Sequence, residues 1–230
     1  MADALPFATG HRTNHDIRTP ALASPSHHPR RSDQPGRNSS RLTLDVSGAI
    51  DFTTIEVRTK GGLATFYLLF VMEVATRRVH FAGCTTNPDE RWMKQVARNL
   101  TDSADGSLLG TRYLLMDRDA RFSAAFRSTL GDVGMKSVRL PARSPDLNSH
   151  LERFMRSLKE ECLDRMIFFG EASLRRATTE FLVHFHEERN HQGLNNQIID
   201  PDEKVGRLSG AVQCRERLGR MLRYYYRRAA

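Results

Sequence analysis

Residues 49–57 form a β-rich run that reads Ala49-Ile50-Asp51-Phe52-Thr53-Thr54-Ile55-Glu56-Val57. Branched and aromatic side chains fit the pleated surface of a sheet, so we predict a strand over residues 46–57. Asp51 interrupts this run, and a carboxylate in such a place is costly unless something uses its charge. The run therefore predicts a strand that carries a candidate functional acid, although a lone aspartate near a strand end is usually a turn or cap residue.

Two further acids stand where predicted elements meet loops. Asp117 ends the apolar run that begins at Tyr113, and Glu152 lies in a helix predicted over about residues 148–163. Lys159 follows Glu152 by seven positions, so at about 100° per residue the two side chains share one helix face. Carboxylates are hard oxygen ligands suited to Mg²⁺. Together the three acids predict a divalent-metal site, and Lys159 is placed to hold a phosphate.

The order of the other predicted elements indicates a mixed α/β layer fold. Short connections at residues 60–62 and 76–78 suit antiparallel hairpins between the first strand and two more. Helices and strands then alternate before the chain ends in helices, as in an α/β architecture. Asn148 is predicted to cap the Glu152 helix. The remaining predicted elements are strands 64–72 and 78–84, a helix from residues 87–90 to Leu100, a strand ending at Asp117, helix 123–133, strand 136–140 and helix 173–188.

Composition limits the class of protein. The chain has 230 residues, enough for one domain with a small appendage, and a net charge of +8 that favours a polyanionic partner. Its cysteines are far apart and without a Cys-x-x-Cys motif, which fits a reducing compartment and predicts neither disulfides nor zinc. The longest apolar run, residues 66–72, is too short to cross a bilayer, and no signal peptide is recognisable. We therefore predict a cytoplasmic protein without a membrane partner.

The two ends of the chain differ from the middle. Residues 1–41 are predicted to be a disordered tail, because residues 1–40 contain five of the nine prolines and little apolar surface. His11 and His15 are not followed by paired cysteines, so no zinc module is predicted. Residues 42–205 are predicted to be the core. Residues 206–230 mix arginines with three tyrosines, which suits phosphate contact and base stacking, or equally an amphipathic helix or strand with its tyrosines on the core.

The chain resembles the catalytic core of the DDE transposases of bacterial insertion sequences, which are related to retroviral integrases. The resemblance covers roughly residues 45–200, and it departs from the family in two places. The thirty-four residues between Asp117 and Glu152 are one short of the commonest spacing, and Asp119 stands where many members have glycine, which leaves the choice between Asp117 and Asp119 open. The matching stretches are Ala49-Ile50-Asp51-Phe52-Thr53, Leu115-Met116-Asp117-Arg118-Asp119-Ala120-Arg121-Phe122, Ser144-Pro145-Asp146-Leu147-Asn148 through Glu152 to Lys159-Glu160, and His186-Glu187-Glu188-Arg189-Asn190-His191-Gln192-Gly193-Leu194.

This resemblance implies a ribonuclease H-like fold, with a mixed five-stranded sheet flanked by helices. Asp51 would stand on the central strand and Asp117 on its neighbour, and with Glu152 they would be the catalytic and metal-binding residues. The implied cofactor is two Mg²⁺ or Mn²⁺ ions with DNA bound. The implied partners are element ends and target DNA, bound by a homo-oligomer in the bacterial cytoplasm and associated with the nucleoid. The predicted DNA-binding residues are Lys159, Arg156, Arg220, Arg223, Arg227 and Arg228.

Three functions remain open from the sequence. The first is a polynucleotidyl transferase that cleaves DNA and transfers strands in transposition or integration. The second is a truncated, inactive remnant that binds DNA or a transposase, because no helix-turn-helix unit is readable before the core. The third is a ribonuclease H-like hydrolase, since the fold and the acids are shared. The Ser144–Asn148 loop followed by Glu152 and Lys159 favours the first function over the third.

Overall fold

The computed structural model describes residues 47–140, 148–201 and 209–227. The predicted N-terminal tail, the loop at residues 141–147 and Arg228 lie outside the described residues. The strands and helices are β1 (Ser47–Thr59), β2 (Gly62–Glu73), β3 (Val79–Thr85), α1 (Glu90–Leu100), β4 (Tyr113–Met116), α2 (Ala124–Asp132), β5 (Lys136–Arg139), α3 (Ser149–Glu161), α4 (Gly170–Glu187), β6 (Val212–Arg217) and β7 (Leu222–Arg227).

A five-stranded mixed sheet with the order β3-β2-β1-β4-β5 organises the chain. The strands β1, β2 and β3 pair in antiparallel fashion, whereas β4 and β5 run parallel to β1. A two-residue turn joins β1 to β2, with Thr59 opposite Gly62, whose φ of 112° a larger residue adopts only with strain. This order confirms the predicted α/β fold with a mixed five-stranded sheet, and it places β1 at the centre of the sheet as the resemblance implied.

Helices cover both faces of the sheet, because each helix has one apolar stripe to bury. The helices α3 and α4 pack on one face through residues such as Phe154 and Phe181. The helices α1 and α2 pack on the other face through Met93, Phe126 and their neighbours. β1 contributes to both layers, since side chains alternate along a strand. The central strand is therefore held from both sides.

The helix starts follow local capping chemistry. The side chain of Asp89 accepts a hydrogen bond from Trp92 N–H at 2.8 Å and caps α1. Ser123 Oγ accepts from Phe126 N–H at 3.2 Å and caps α2. Both helices begin within three residues of their predicted starts. None of the helices in the described ranges is long and apolar enough to cross a membrane.

The basic C-terminal segment forms a separate two-stranded antiparallel sheet, β6–β7. The rings of Tyr224 and Tyr226 stack on each other with centroids 5.8 Å apart, whereas Tyr225 is exposed. Leu222 is buried and joins the core that α3 and α4 form with the main sheet. The segment is thus an amphipathic strand pair that packs on the core through Leu222 and not through its tyrosines, and its contact with phosphates stays a prediction.

Candidate active site

The parallel pairing of β1 and β4 places two acids side by side. Ile50 on β1 pairs with Met116 on β4, so the next residues along the two strands are Asp51 and Asp117. β4 ends at Met116, while β1 continues and pairs Asp51 with Phe70 of β2. Since neighbouring strands lie about 4.8 Å apart, adjacent positions in register bring their side chains close together. The register alone therefore juxtaposes the two predicted acids.

Glu152 reaches the same region from α3. It lies in the first turn of this helix, and its side chain is exposed. The buried stripe of α3, which includes Leu151, Phe154 and Leu158, anchors the helix on the sheet. Glu152 lies beside this stripe, so packing of the stripe fixes its direction.

The charges of these residues act on each other. Burial raises the pKa of Asp51 to about 6, against a hydrogen bond of 2.7 Å that Phe52 N–H donates to Oδ1. The negative charges of Asp117, Glu152 and Asp119 also contribute to this raised value, in that order of size. A carboxyl group that is half-buried among other carboxylates is unfavourable when ionised and gains from a cation. The structure thus brings the three sequence-predicted acids into one electrostatic cluster, together with Asp119.

Asp117 and Asp119 have different surroundings. Asp117 Oδ1 accepts a hydrogen bond of 2.9 Å from Asp119 N–H, as in an Asx turn. Asp119 accepts from Arg121 N–H at 2.8 Å and forms an ion pair with the Arg121 guanidinium. The charge of Asp119 is therefore compensated within the protein. This difference favours Asp117 over Asp119 as the second acid of the site.

No role was predicted for Arg121. Its guanidinium lies over the Tyr67 ring at 4.5 Å and over the Phe52 ring at 5.3 Å. These cation–π contacts and the ion pair with Asp119 lock the arginine in place beside the acids. This arrangement forms only when β1, β2 and the segment after β4 come together. No local sequence pattern therefore predicts it.

The donor chemistry fits a divalent cation, although the side chains are not closed around one. Within residues 47–140, 148–201 and 209–227, no group of three or more His, Cys, Asp or Glu residues is spaced to hold a metal ion. Asp51, Asp117 and Glu152 are nevertheless hard oxygen donors of the type that Mg²⁺ and Mn²⁺ prefer. Burial, and after it the neighbouring carboxylates, raises the pKa of Asp51, and a bound cation would offset both effects.

Asn148 occupies the predicted cap position of α3 but does not cap it with its side chain. Its φ of −117° and ψ of 8° differ from the extended backbone that points a cap side chain at the first free N–H groups. The side chain makes no capping hydrogen bond, and its Oδ1 is buried without a partner among the described residues. Only its backbone carbonyl accepts, from Glu152 N–H at 3.0 Å. The prediction of a side-chain cap was wrong.

The predicted DNA-binding cations have different environments. Lys159 is half-buried and Arg156 is exposed on α3. In the β6–β7 sheet, Arg220 and Arg223 lie 2.8 and 3.7 Å from carboxylate oxygens of Glu216. Arg227 donates to the carbonyl of Gly210 at 2.9 Å. The tail cations are thus partly engaged within the protein, and their role in DNA binding stays a prediction.

Comparisons with known proteins point to the same class. Residues 133–198 match the family model described as "Integrase core domain", a segment that contains Glu152 and Lys159. No curated protein shows a significant match to the chain. This match covers less than a third of the chain, and it supports a similarity to integrase cores and a role in DNA transposition or integration in general.

Several solved structures are similar in part. The catalytic core domain of BIV integrase is 14% identical, with 65% of this chain and 88% of that chain covered and a TM-score of 0.47. The catalytic domain of Mos1 mariner transposase is 18% identical, with 64% and 74% covered and a TM-score of 0.47. The HTLV-2 integrase catalytic core domain, in complex with magnesium and in a dimeric form, is 13% identical, with 67% and 92% covered and a TM-score of 0.45.

Proposed function

We propose that this integrase-like core catalyses divalent-metal-dependent DNA cleavage and strand transfer in transposition or integration. The observation that carries the proposal is the register of β1 and β4, which sets Asp51 beside Asp117 while Glu152 arrives from α3. Three carboxylates from three separate elements converge at the sheet, where they repel one another. Such an arrangement is unfavourable for folding alone and suits cation binding.

Asp51, Asp117 and Glu152 would hold the metal. Two Mg²⁺ or Mn²⁺ ions supply activation of the attacking oxygen and stabilisation of the leaving oxygen at phosphorus. Asp51 lies half-buried on the central strand and would be one of the ligands that hold the ions. The attacking group in cleavage is water, and in strand transfer it is a 3′-hydroxyl of DNA. The chain therefore needs no covalent nucleophile.

The cationic side chains of α3 would position the DNA. Lys159 lies about two turns along the helix from Glu152 and within about 20° of it around the axis. Arg156 lies between them on the exposed side. Contacts of this kind to phosphates fix the orientation of DNA without reading its sequence. We further propose that the chain acts as a homo-oligomer that joins element ends to target DNA.

The test is a nicking and strand-transfer assay on duplex DNA with Mg²⁺, with Mn²⁺ and with EDTA. Asp51→Asn and Glu152→Gln should each abolish the metal-dependent products, because each removes an anionic oxygen from the ions. Asp132→Asn is a matched control, since Asp132 is exposed at the end of α2. Equal activity of Asp51→Asn and the wild type would contradict the proposal.

A non-catalytic DNA-binding remnant is the second candidate. The observation in its favour is that the described acids are not spaced to hold a metal ion as they stand. Such a remnant would bind duplex DNA with the same salt dependence but give no metal-dependent product under any condition of the assay. Measurement of both duplex binding and metal-dependent cleavage therefore separates the two functions.

A further inference from the structure

A polar pocket lies beside α3, on a different side of the helix from Glu152. It has a volume of about 390 Å³ and is enclosed by the β2–β3 turn, the start of α3 and the segment after α4. None of the described side chains that line it is acidic. Its polar lining is cationic or amide in character, and the main contributors are Arg77, His150, Arg153, Arg189, Asn190 and Asn196.

The cations of this pocket are held together against their repulsion. Burial lowers the pKa of Arg77, and the positive charge of Arg153 lowers it further. Burial likewise lowers the pKa of His150, followed by the charges of Arg77 and Arg153. Arg189 has a carboxylate partner, Glu161, at 2.7 Å. Arg77 and Arg153 line a pocket whose described lining contains no acid, so an anion would relieve their repulsion. His150, whose pKa is lowered from its ordinary value, is uncharged near neutral pH and adds a hydrogen-bonding group.

The backbone at Arg77 is strained. Arg77 has a φ of 65°, in the left-handed region where a non-glycine residue is strained by roughly 1–2 kcal/mol. Its guanidinium donates to the carbonyl of Val74 in the same turn, which aims the side chain back along the turn. The chain thus keeps a half-buried arginine at the pocket in spite of strain and repulsion, a pattern typical of functional positions.

The pocket is distinct from the cluster of acids. On α3, Arg153 and His150 lie about 100° and 160° around the axis from Glu152. The buried stripe through Leu151, Phe154 and Leu158 separates this flank from the flank of Glu152 and Lys159. The helix α3 therefore carries Glu152 on one side and residues of the cationic pocket on another.

We propose that this pocket binds a phosphate group, and specifically a phosphodiester of the DNA backbone that crosses the exposed side of α3. The guanidinium groups offer planar pairs of N–H donors that match phosphate oxygens. The side-chain amides of Asn190 and Asn196 add neutral donors at the rim. The choice of DNA as the source of the phosphate rests on the proposed function, whereas the phosphate chemistry rests on the pocket itself.

The test compares binding of pyrophosphate and of a short DNA duplex, both in EDTA, to wild type and four variants. The variants are Arg77→Asn, which tolerates the left-handed backbone, Arg153→Gln, and both together. Arg98→Gln is the matched control, because Arg98 is exposed on α1 at the opposite face of the sheet. The double variant should bind pyrophosphate about tenfold more weakly than wild type, and Arg98→Gln should not. For the double variant and the duplex, the slope of log binding constant against log salt concentration should become less steep by about 0.9 for each phosphate contact that is lost.

Each result decides the proposal. Weaker pyrophosphate binding together with a flatter salt slope for the duplex in the double variant, with Arg98→Gln unchanged, supports the DNA backbone as the ligand. Loss of pyrophosphate binding with unchanged duplex binding would overturn the DNA assignment in favour of a small phosphate compound. Unchanged binding of both probes, or no pyrophosphate binding by wild type, would overturn the pocket. If Arg77→Asn unfolds the turn by circular dichroism, Arg153→Gln alone should still weaken pyrophosphate binding.

The measurement is independent of catalysis. Because no divalent metal is present, Asp51→Asn should bind pyrophosphate as tightly as wild type. A chain that binds pyrophosphate but never cleaves DNA would contradict the proposed function and leave the pocket in place. If the chain cleaves DNA but the pocket substitutions change neither pyrophosphate binding nor duplex binding, the proposed function stands and the pocket proposal is wrong.

Discussion

Asp51 and Glu188 are both withdrawn from solvent, but the protein treats their charges in opposite ways. Burial raises the pKa of Asp51 to about 6, and its charged neighbours are other carboxylates. Burial would also raise the pKa of Glu188, but hydrogen bonds from Arg217, His184 and Arg215 outweigh it and lower the value to about 2. The ionised carboxylate is thus destabilised at Asp51 and stabilised at Glu188.

The surroundings of Glu188 explain its role. Its side chain is 1% exposed and lies 2.7 Å from a guanidinium nitrogen of Arg217, 3.1 Å from Arg215 and 2.9 Å from Nδ1 of His184. Both arginines belong to β6, so the cluster fastens the β6–β7 sheet to the end of α4. Asp51 has no comparable cation among the described residues. The contrast indicates that Glu188 is a structural acid, whereas the Asp51 cluster would gain from a cation that the proposed function supplies.

The largest expected effect separates Asp117 from Asp119. Asp117→Asn should lower metal-dependent cleavage by roughly 10³-fold, which corresponds to about 4 kcal/mol of transition-state stabilisation. Asp119→Asn should lower it far less, because the charge of Asp119 is already paired with Arg121. Single-turnover nicking rates measure both. A reversed order would move the second acid of the site to Asp119.

Removal of the charge at Glu188 should have the largest effect on stability. Glu188→Gln should lower the free energy of unfolding by about 3–5 kcal/mol, since it leaves two arginines beside an uncharged, buried group. Glu216→Gln is the matched control, because its partners Arg220 and Arg223 are 73% and 51% exposed, and surface pairs contribute about 0–1 kcal/mol. Urea unfolding at neutral pH compares the two variants. Equal losses would remove the distinction between the buried and the surface cluster.

The same cluster predicts a pH dependence. The pKa of Glu188 in the folded protein is depressed to about 2 from an ordinary value of 4.5. Its contribution to stability is therefore fully present above about pH 4.5 and is lost as the pH falls towards 2. The stability difference between wild type and Glu188→Gln should shrink over this window. A difference that stays constant from pH 6 to pH 3 would show that packing, not charge, holds the β6–β7 sheet.

Substitution of Asp51 should act in the opposite direction. Without divalent metal at neutral pH, Asp51→Asn should raise the free energy of unfolding by about 1–3 kcal/mol, because it removes an ionised, half-buried carboxylate from among three others. The same variant should be inactive in cleavage. Thermal unfolding in EDTA measures the gain. A loss of stability would mean that the negative charge of Asp51 is compensated within the protein, as that of Glu188 is.

The smallest expected effect concerns Asn148, a buried polar side chain with no described partner for its Oδ1. Asn148→Ala should change the free energy of unfolding by less than the ~1 kcal/mol that removal of a side-chain cap costs. Ser123→Ala at the start of α2 is the comparison, since Ser123 does cap. Urea titrations of both variants are sufficient. A larger loss at Asn148 than at Ser123 would restore the capping role that the sequence suggested.

Much of the fold was predictable because its signals are local. The three antiparallel strands were found within a few residues of their bounds, since short turns and β-rich runs mark them. The neighbouring positions of Asp51 and Asp117 followed from the resemblance, and the register of β1 and β4 confirms them. The Glu188 cluster and the Arg77 pocket were not predicted, because their members come from segments that are distant in sequence and have no characteristic spacing. The side-chain conformation of Asn148 was mispredicted because residue type alone does not fix the backbone angles of a cap.

The two-residue turn between β1 and β2 also sets an order of assembly. Twelve residue pairs join these strands directly across the turn, so we expect this hairpin to form within microseconds of the start of folding. The pairing of β1 with β4 must wait for the intervening β3 and α1, because closing a long loop costs more entropy. Asp51 is therefore placed early, and Asp117 and Glu152 join it late. We therefore expect the repulsion among the acids to arise only after β1 and β2 have paired.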